Sequence, residues 1–377
     1  MKPMFIFRMV VVSALVWCGG LQHVEAGKLL TREDSVALER LYNDYVTAVE
    51  RAYDKMTAET ESLGEADNEE EEAALEAKRD DIYSAYEEEV ERLAKRFDVT
   101  LASNPRFNEV ARLRNILKQY LEDKDVAKEK MYDAYLSSSK DWKEGENLMD
   151  HLADYKWEYL APFEMEWDGK LIELIGSNPD FLEYPEYMFE EVVEDIVVAT
   201  SPDGRLRYYS WPTDRGGTMI NIVCFRQYRA DNGQVLVSWD TNRDGDDDWE
   251  WSEGVGEIYM LNANGKNIYL LEKWANRSTL FAYFSYHAEA IEGKEITHPK
   301  VFDTDNEEEN GLVVEYKFPN CEEAENLNDD WVVRYDEDTR SIYAHVCNPD
   351  ENMAITNDYN VYQFNGKTFK LTKKIEN

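Results

Sequence analysis

The sequence predicts an α+β protein: a helical N-terminal region, folded as an antiparallel hairpin or bundle, followed by an antiparallel all-β sandwich or barrel. Three observations carry this. From Leu38 to Phe97 apolar residues recur at steps of three and four, the spacing that lines one face of a helix. From Ile196 onward the period becomes two, in runs rich in β-branched and aromatic residues, which is the pattern of strands. Between those runs stand Asp203-Gly204, Asn232-Gly233, Asn264-Gly265 and Asn365-Gly366, pairs that tolerate the positive φ of tight hairpin turns. A small β-propeller is the alternative for this half, and the absence of a blade-length repeat counts against it.

The chain opens with Lys2 and Arg8, an apolar run over 9–17, and Val24-Glu25-Ala26. Those are the three parts of a secretory signal, so residues 1–26 are expected to be removed and the protein exported. Lipid anchoring at Cys18 is the weaker reading, because bulky Trp17 occupies the place where a lipoprotein signal wants a small residue. No later apolar run approaches the roughly 20 residues of a membrane-spanning helix.

Composition narrows the partners. Seventy-nine acidic residues against 41 basic ones give a net charge of −38, a field that repels nucleic acid and anionic lipid. A protein or glycan partner is expected instead. After the signal three cysteines remain. Cys321 and Cys347 border the same strand-rich segment and are expected to pair in an oxidising compartment, whereas Cys224 lies inside the apolar run 220–225 and reads as a buried thiol. Their spacing, with His151, His287, His298 and His345 scattered, matches no zinc site.

The helical region is expected over 27–176. Its first stripe is Leu38, Tyr42, Tyr45, Val49, Ala52 and Met56, opened by Thr31 as N-cap with Asp34 in the acidic first turn. The stripe stops near Leu63-Gly64. A second, Leu75, Ile82, Tyr86, Val90, Leu93 and Phe97, comes after the acidic run 65–72, and the two suggest a hairpin. Asn104-Pro105 breaks the pattern before a third helix over 107–121 and a fourth over 126–136. The aromatic-dense stretch 142–167, with Pro162 as a breaker, is expected to hold one or two short helices that pack the bundle onto the next part of the chain. Residues 177–195 read as a linker.

The β-domain is expected over 196–377, with eleven strands at 205–211, 218–228, 234–239, 257–261, 267–273, 279–287, 312–318, 331–335, 341–346, 360–364 and 368–371. Residues 196–219, 331–346 and 359–369 together resemble secreted, uncharacterised proteins of Bacteroides-type bacteria. The resemblance covers the last 180 residues or so and implies bacterial export. It brings no activity with it, and it makes the sequon Asn276-Arg277-Ser278 incidental.

The most specific stretch is VLVSWDTNRDGDDDWEW, residues 235–251. Asp240, Asn242 and Asp244 alternate, Gly245 permits a turn, and Asp246 and Asp248 complete an oxygen-rich loop of the kind calcium prefers. The loop fails as an EF-hand, since Trp251 stands where a bidentate Glu belongs. It resembles the calcium loops of integrin-type β-propeller repeats, which implies side-chain ligation by Asp240, Asn242, Asp244 and Asp248 and backbone ligation at Asp246. Those loops occur several times per chain, and this one occurs once. Calcium is the only cofactor the sequence suggests.

No nucleophile elbow, zinc-protease motif or phosphate loop is present. The polar loop 210–217, with Trp211, Asp214 and Arg215, is capable of recognition. The expected function is an exported binding or structural module. A secreted hydrolase using Asp/Glu acid-base chemistry, carbohydrate-active for example, is one alternative. An acidic interaction protein that captures a basic partner is the other.

Overall fold

The computed structural model describes residues 29–64, 69–138, 155–193, 195–213, 221–239, 253–263, 265–278, 281–303, 311–317, 333–348 and 354–375. The expected signal at 1–26 lies outside them. The chain is α+β, with five helices followed by thirteen strands among these residues. No helix of the described residues is long and apolar enough to cross a membrane.

Helix α1 (Arg32–Glu61) begins where the sequence places it, with the Asp34 amide donating to Thr31 Oγ1 at 3.1 Å. It runs antiparallel to α2 (Glu69–Ser103): Tyr42 and Tyr45 meet Phe97, while Tyr53 near the other end meets Tyr86. After a single 3-10 turn at Pro105–Phe107, α3 (Asn108–Ser138) continues as one helix of 31 residues. The two helices expected over 107–121 and 126–136 are therefore one. The intervening Glu122, Asp123, Lys124 and Asp125 are polar but contain neither Gly nor Pro, so nothing in the backbone forces a stop. Helix α4 (Ala161–Ser177) comes after a π-helical turn at Tyr155–Leu160. Pro162 falls in the first turn of α4, where its missing amide hydrogen breaks no bond, so it starts the helix instead of ending one.

The expected linker, 177–195, holds a 3-10 turn (Pro179–Glu183) and the short helix α5 (Glu186–Glu190). Phe181, Leu182, Tyr184, Met188 and Phe189 are fully buried there. Phe181, Tyr184, Met188 and Phe189 belong to the packing between the helices and the first sheet, and Arg207 reaches from that sheet to donate to the carbonyls of Phe181 and Tyr184. Nearby, buried Arg114 of α3 sits between Asp98 of α2, at 2.8 Å, and Glu191, at 2.9 Å.

The first sheet is β1 (Val197–Thr200), β2 (Leu206–Thr213), β3 (Asn221–Arg229) and β4 (Val235–Trp239), antiparallel in that order. The second contains β5 (Gly254–Ala263), β6 (Lys266–Ser278), β7 (Phe281–Glu292), β8 (Glu295–Thr297), β9 (Gly311–Lys317), β10 (Val333–Asp336), β11 (Ser341–Asn348), β12 (Ala354–Phe364) and β13 (Phe369–Ile375). Its path is β10-β11-β12-β9-β7-β6-β5, with β13 on β12 and β8 on β7. Strands β1 and β8 were not among the eleven expected, being only four and three residues long. No closed barrel forms among the described residues, and the sheets pack as a sandwich.

Three hydrophobic clusters stack these layers. One joins the helices to Val198, Tyr209, Trp211 and Phe225 on the outer face of the first sheet. The next joins Leu206, Tyr208, Ile222 and Cys224 on its inner face to Leu271 and Tyr283 of the second sheet. The last joins the reverse side of β6, β7 and β9, through Leu270, Phe284, Tyr286 and Leu312, to Ile342, Phe364 and Phe369. Sheets covered on both faces carry strands buried almost continuously, which is why six successive residues of β2, Leu206 to Trp211, are buried.

Candidate functional site

Alternation along a strand sends every second residue to the same face. On β7, Tyr283 and Ile291 face the first sheet, so Ser285, His287 and Glu289 between them do as well. The same phase brings Arg226 of β3, Lys273 of β6, and Tyr208 and Ser210 of β2 into the layer between the sheets. A charged layer results where apolar packing would be cheaper in desolvation.

Arg226 is its centre. Its Nη1 donates to Glu289 Oε1 at 2.6 Å and to the Tyr208 hydroxyl at 2.7 Å, and the Tyr208 hydroxyl donates to the same carboxylate oxygen at 2.8 Å. Arg226 Nε donates to Ser238 Oγ on β4 at 2.9 Å. His298 Nδ1 lies 3.8 Å from Glu289 Oε1 on the more exposed side. With Arg226 and Glu289 both almost wholly buried, each charge is held by the other.

One step along β7 lies a second group. Glu253 Oε2, just before β5, stands 3.6 Å from Lys273 Nζ and 3.8 Å from His287 Nε2. Lys273 is 4% exposed. Directly opposite it on β7 is Ser285, 1% exposed, whose hydroxyl has no hydrogen-bond partner among the described residues. His287 is paired with Gly311 of β9, and the fit is close: a Cβ at Gly311 would lie 2.7 Å from His287 Cε1 and 2.9 Å from the Tyr286 carbonyl oxygen. Nearby, Ser210 Oγ accepts the Val255 amide at 3.0 Å and donates to Cys224 Sγ at 3.4 Å. The arrangement offers a lysine amine, an imidazole, a carboxylate and an unused hydroxyl around one buried spot, a set able to bind a polar ligand by complementary hydrogen bonds.

The sequence-predicted ligands Asp240, Asn242, Asp244, Asp246 and Asp248 lie outside the described residues, as do Asp214 and Arg215. Their anchors are described. In the register of the first sheet Thr213 faces Asn221, and Trp239 faces Phe225, so segments 214–220 and 240–252 leave from the same end of the sheet. Segment 240–252 also starts just after Ser238 and Trp239 and ends at Glu253, so both its stems carry side chains of the buried cluster. Among the described residues no three His, Cys, Asp or Glu side chains converge on a metal-sized site.

Cys321, and with it the expected pairing to Cys347, lies outside the described residues. Cys347 itself sits half-buried on β11, where burial, reinforced by the Glu315 carboxylate, pushes its thiol up to about 11. Cys224 is buried on β3, its sulfur accepting from the Ser210 hydroxyl.

Arg226, Glu253, Lys273, Ser285, His287 and Glu289 were not singled out from the sequence. A signal was present: Arg226 and Lys273 are polar residues in phase with flanking residues of the core face, as in Cys224-x-Arg226-x-Tyr228 and Leu271-x-Lys273-x-Ala275, and Ser285, His287 and Glu289 form a polar run in phase between Tyr283 and Ile291. Compared with protein-family models, curated proteins and solved structures, the chain matches none.

Proposed function

We propose that the chain is an exported binding module that takes a small polar ligand in the charged layer between its sheets, with calcium in the loop of Asp240, Asn242, Asp244, Asp246 and Asp248 bracing the rim. One observation carries the reading: Ser285, with an unused hydroxyl, sits opposite buried Lys273 in a layer that apolar residues would fill at lower desolvation cost. A buried hydroxyl without a partner marks a place for an additional acceptor or donor. The ligand therefore carries both kinds of group, as amino acids and amino sugars do. The acidic loop supports the calcium part because hard oxygen donors alternate along it.

Two measurements test this. Thermal melts of the mature chain with a panel of amino acids, amino sugars and sugar acids should give a rise in Tm for some members, lost in Ser285→Ala and Lys273→Met. A panel that leaves the melt unmoved sinks the ligand site. Calorimetric titration with calcium should show binding by the wild type that disappears in Asp240→Ala and Asp244→Ala. Identical isotherms for the three proteins would remove calcium from the proposal.

A further inference from the structure

Glu253, Lys273 and His287 are arranged for a reaction within the chain itself. Lys273 of β6 lies opposite Val255 of β5 on one side and opposite Ser285 of β7 on the other. Glu253 stands two residues before Val255 and His287 two residues after Ser285, so both are diagonal neighbours of Lys273 on its own face. Their side chains converge: Glu253 Oε2 is 3.6 Å from Lys273 Nζ and 3.8 Å from His287 Nε2.

Two close approaches fix this geometry. A Cβ at Gly254 would lie 2.7 Å from Trp274 Cε2, so the start of β5, and Glu253 with it, is pressed onto β6. Gly311 of β9 confines the His287 ring in the same way. An amine and a carboxyl group held near the reactive separation of about 3–3.5 Å no longer have to find each other, which removes much of the barrier to joining them.

Burial gives the reaction its direction. Lys55, Lys170, Lys266 and Lys370 also face carboxylates, but on the surface, where water keeps both groups charged. Lys273 is buried, and a layer shut off from water costs least when its groups are neutral. As a salt bridge the Lys273–Glu253 contact is also looser than the 2.6 Å contact of Arg226 with Glu289, so it offsets the burial of two charges less fully.

We propose that Lys273 and Glu253 join in an intramolecular amide bond that fastens the start of edge strand β5 to β6. The ammonium gives one proton to the carboxylate, leaving a neutral amine and a carboxylic acid. The Nζ lone pair then attacks Glu253 Cδ, and His287 takes a proton from the nitrogen and passes it to the departing hydroxyl. The Nζ–Cδ bond forms, a Cδ–O bond breaks and one water leaves. No oxidant or other co-reactant is needed, and no ligand takes part.

The test is intact-mass measurement of the purified full mature chain, ligand-free and with its disulfides reduced. The wild type should weigh one water less than its sequence, and a tryptic digest should contain a branched peptide joining the segments of Glu253 and Lys273. Lys273→Arg and Glu253→Ala should each show the full sequence mass, and His287→Ala should form the bond about a hundredfold more slowly when followed over time. The proposal is overturned if the wild type keeps its full sequence mass, or if the branched peptide is absent and Lys273→Arg loses the water as well, as dehydration at an Asp-Gly pair would produce. The branched peptide decides the matter in the wild type alone, so the result stands even where a variant fails to fold.

Discussion

Arg226 and Glu289 stand on different sheets, 63 positions apart in the chain, and meet at 2.6 Å in the layer between them. Neither has access to bulk water, so each depends on the other for its charge to be tolerated. Removing one partner leaves a buried charge alone. Glu289→Ala should therefore cost about 3–5 kcal/mol. The double variant Arg226→Met/Glu289→Leu should recover most of that loss, because it removes both charges and keeps the volume. Urea unfolding of the three proteins measures the difference, and a double variant as unstable as Glu289→Ala would contradict the account.

Glu190 makes stability depend on pH. Burial at the junction of α5 and β1, opposed in part by the hydrogen bond from the Val198 amide and increased by Glu186, raises its carboxyl to about 7. The folded state then holds the proton more tightly than the unfolded chain does. Its contribution is complete below the unfolded value of 4.5 and is lost as pH rises through 7. At 1.36 kcal/mol per unit the effect is at most about 3 kcal/mol. Glu190→Gln, which keeps an acceptor for Val198, should flatten the decline between pH 5 and pH 8 in urea titrations.

Gly311 is needed for its lack of a side chain, not for an unusual backbone angle. Gly311→Ala would press a methyl group against the His287 ring and the Tyr286 carbonyl, neither of which can swing aside cheaply. Destabilisation of about 1–3 kcal/mol is expected, as for other overpacked sites. If the melt of Gly311→Ala matches the wild type, β7 and β9 are not held as closely as described.

A proline in the middle of α3 tests its continuity. Glu122→Pro should cost about 3 kcal/mol and lower the helical circular dichroism signal, since position 122 lies inside an unbroken helix. A neutral effect would instead fit two helices separated near that point.

Much of this fold could be read in advance where one physical rule acts alone. Thr31 capped α1 as its hydroxyl and spacing to Asp34 required, and the stripe of Leu38, Tyr42 and Met56 is the buried face of that helix. The polar run 122–125 and Pro162 each have two meanings that local sequence does not separate; in the structure the first continues α3 and the second falls in the first turn of α4. Phe181 and Tyr184 lie in a segment that resembled a linker through Pro179 and Pro185, although its aromatic content pointed to the core it joins.

By itself the sequence determined the division into a helical and a β region, because the change from a period near 3.6 to a period of 2 is a property of consecutive residues. It also marked the acidic stretch from Asp240 to Asp248 as the place to look for calcium. Only the tertiary structure decided that Arg226, Lys273, Ser285, His287 and Glu289 share one buried layer, since each comes from a strand whose face is set by pairing with distant partners. Alternation tells which residues of one strand lie together; which strands face each other depends on long-range packing that no local pattern encodes.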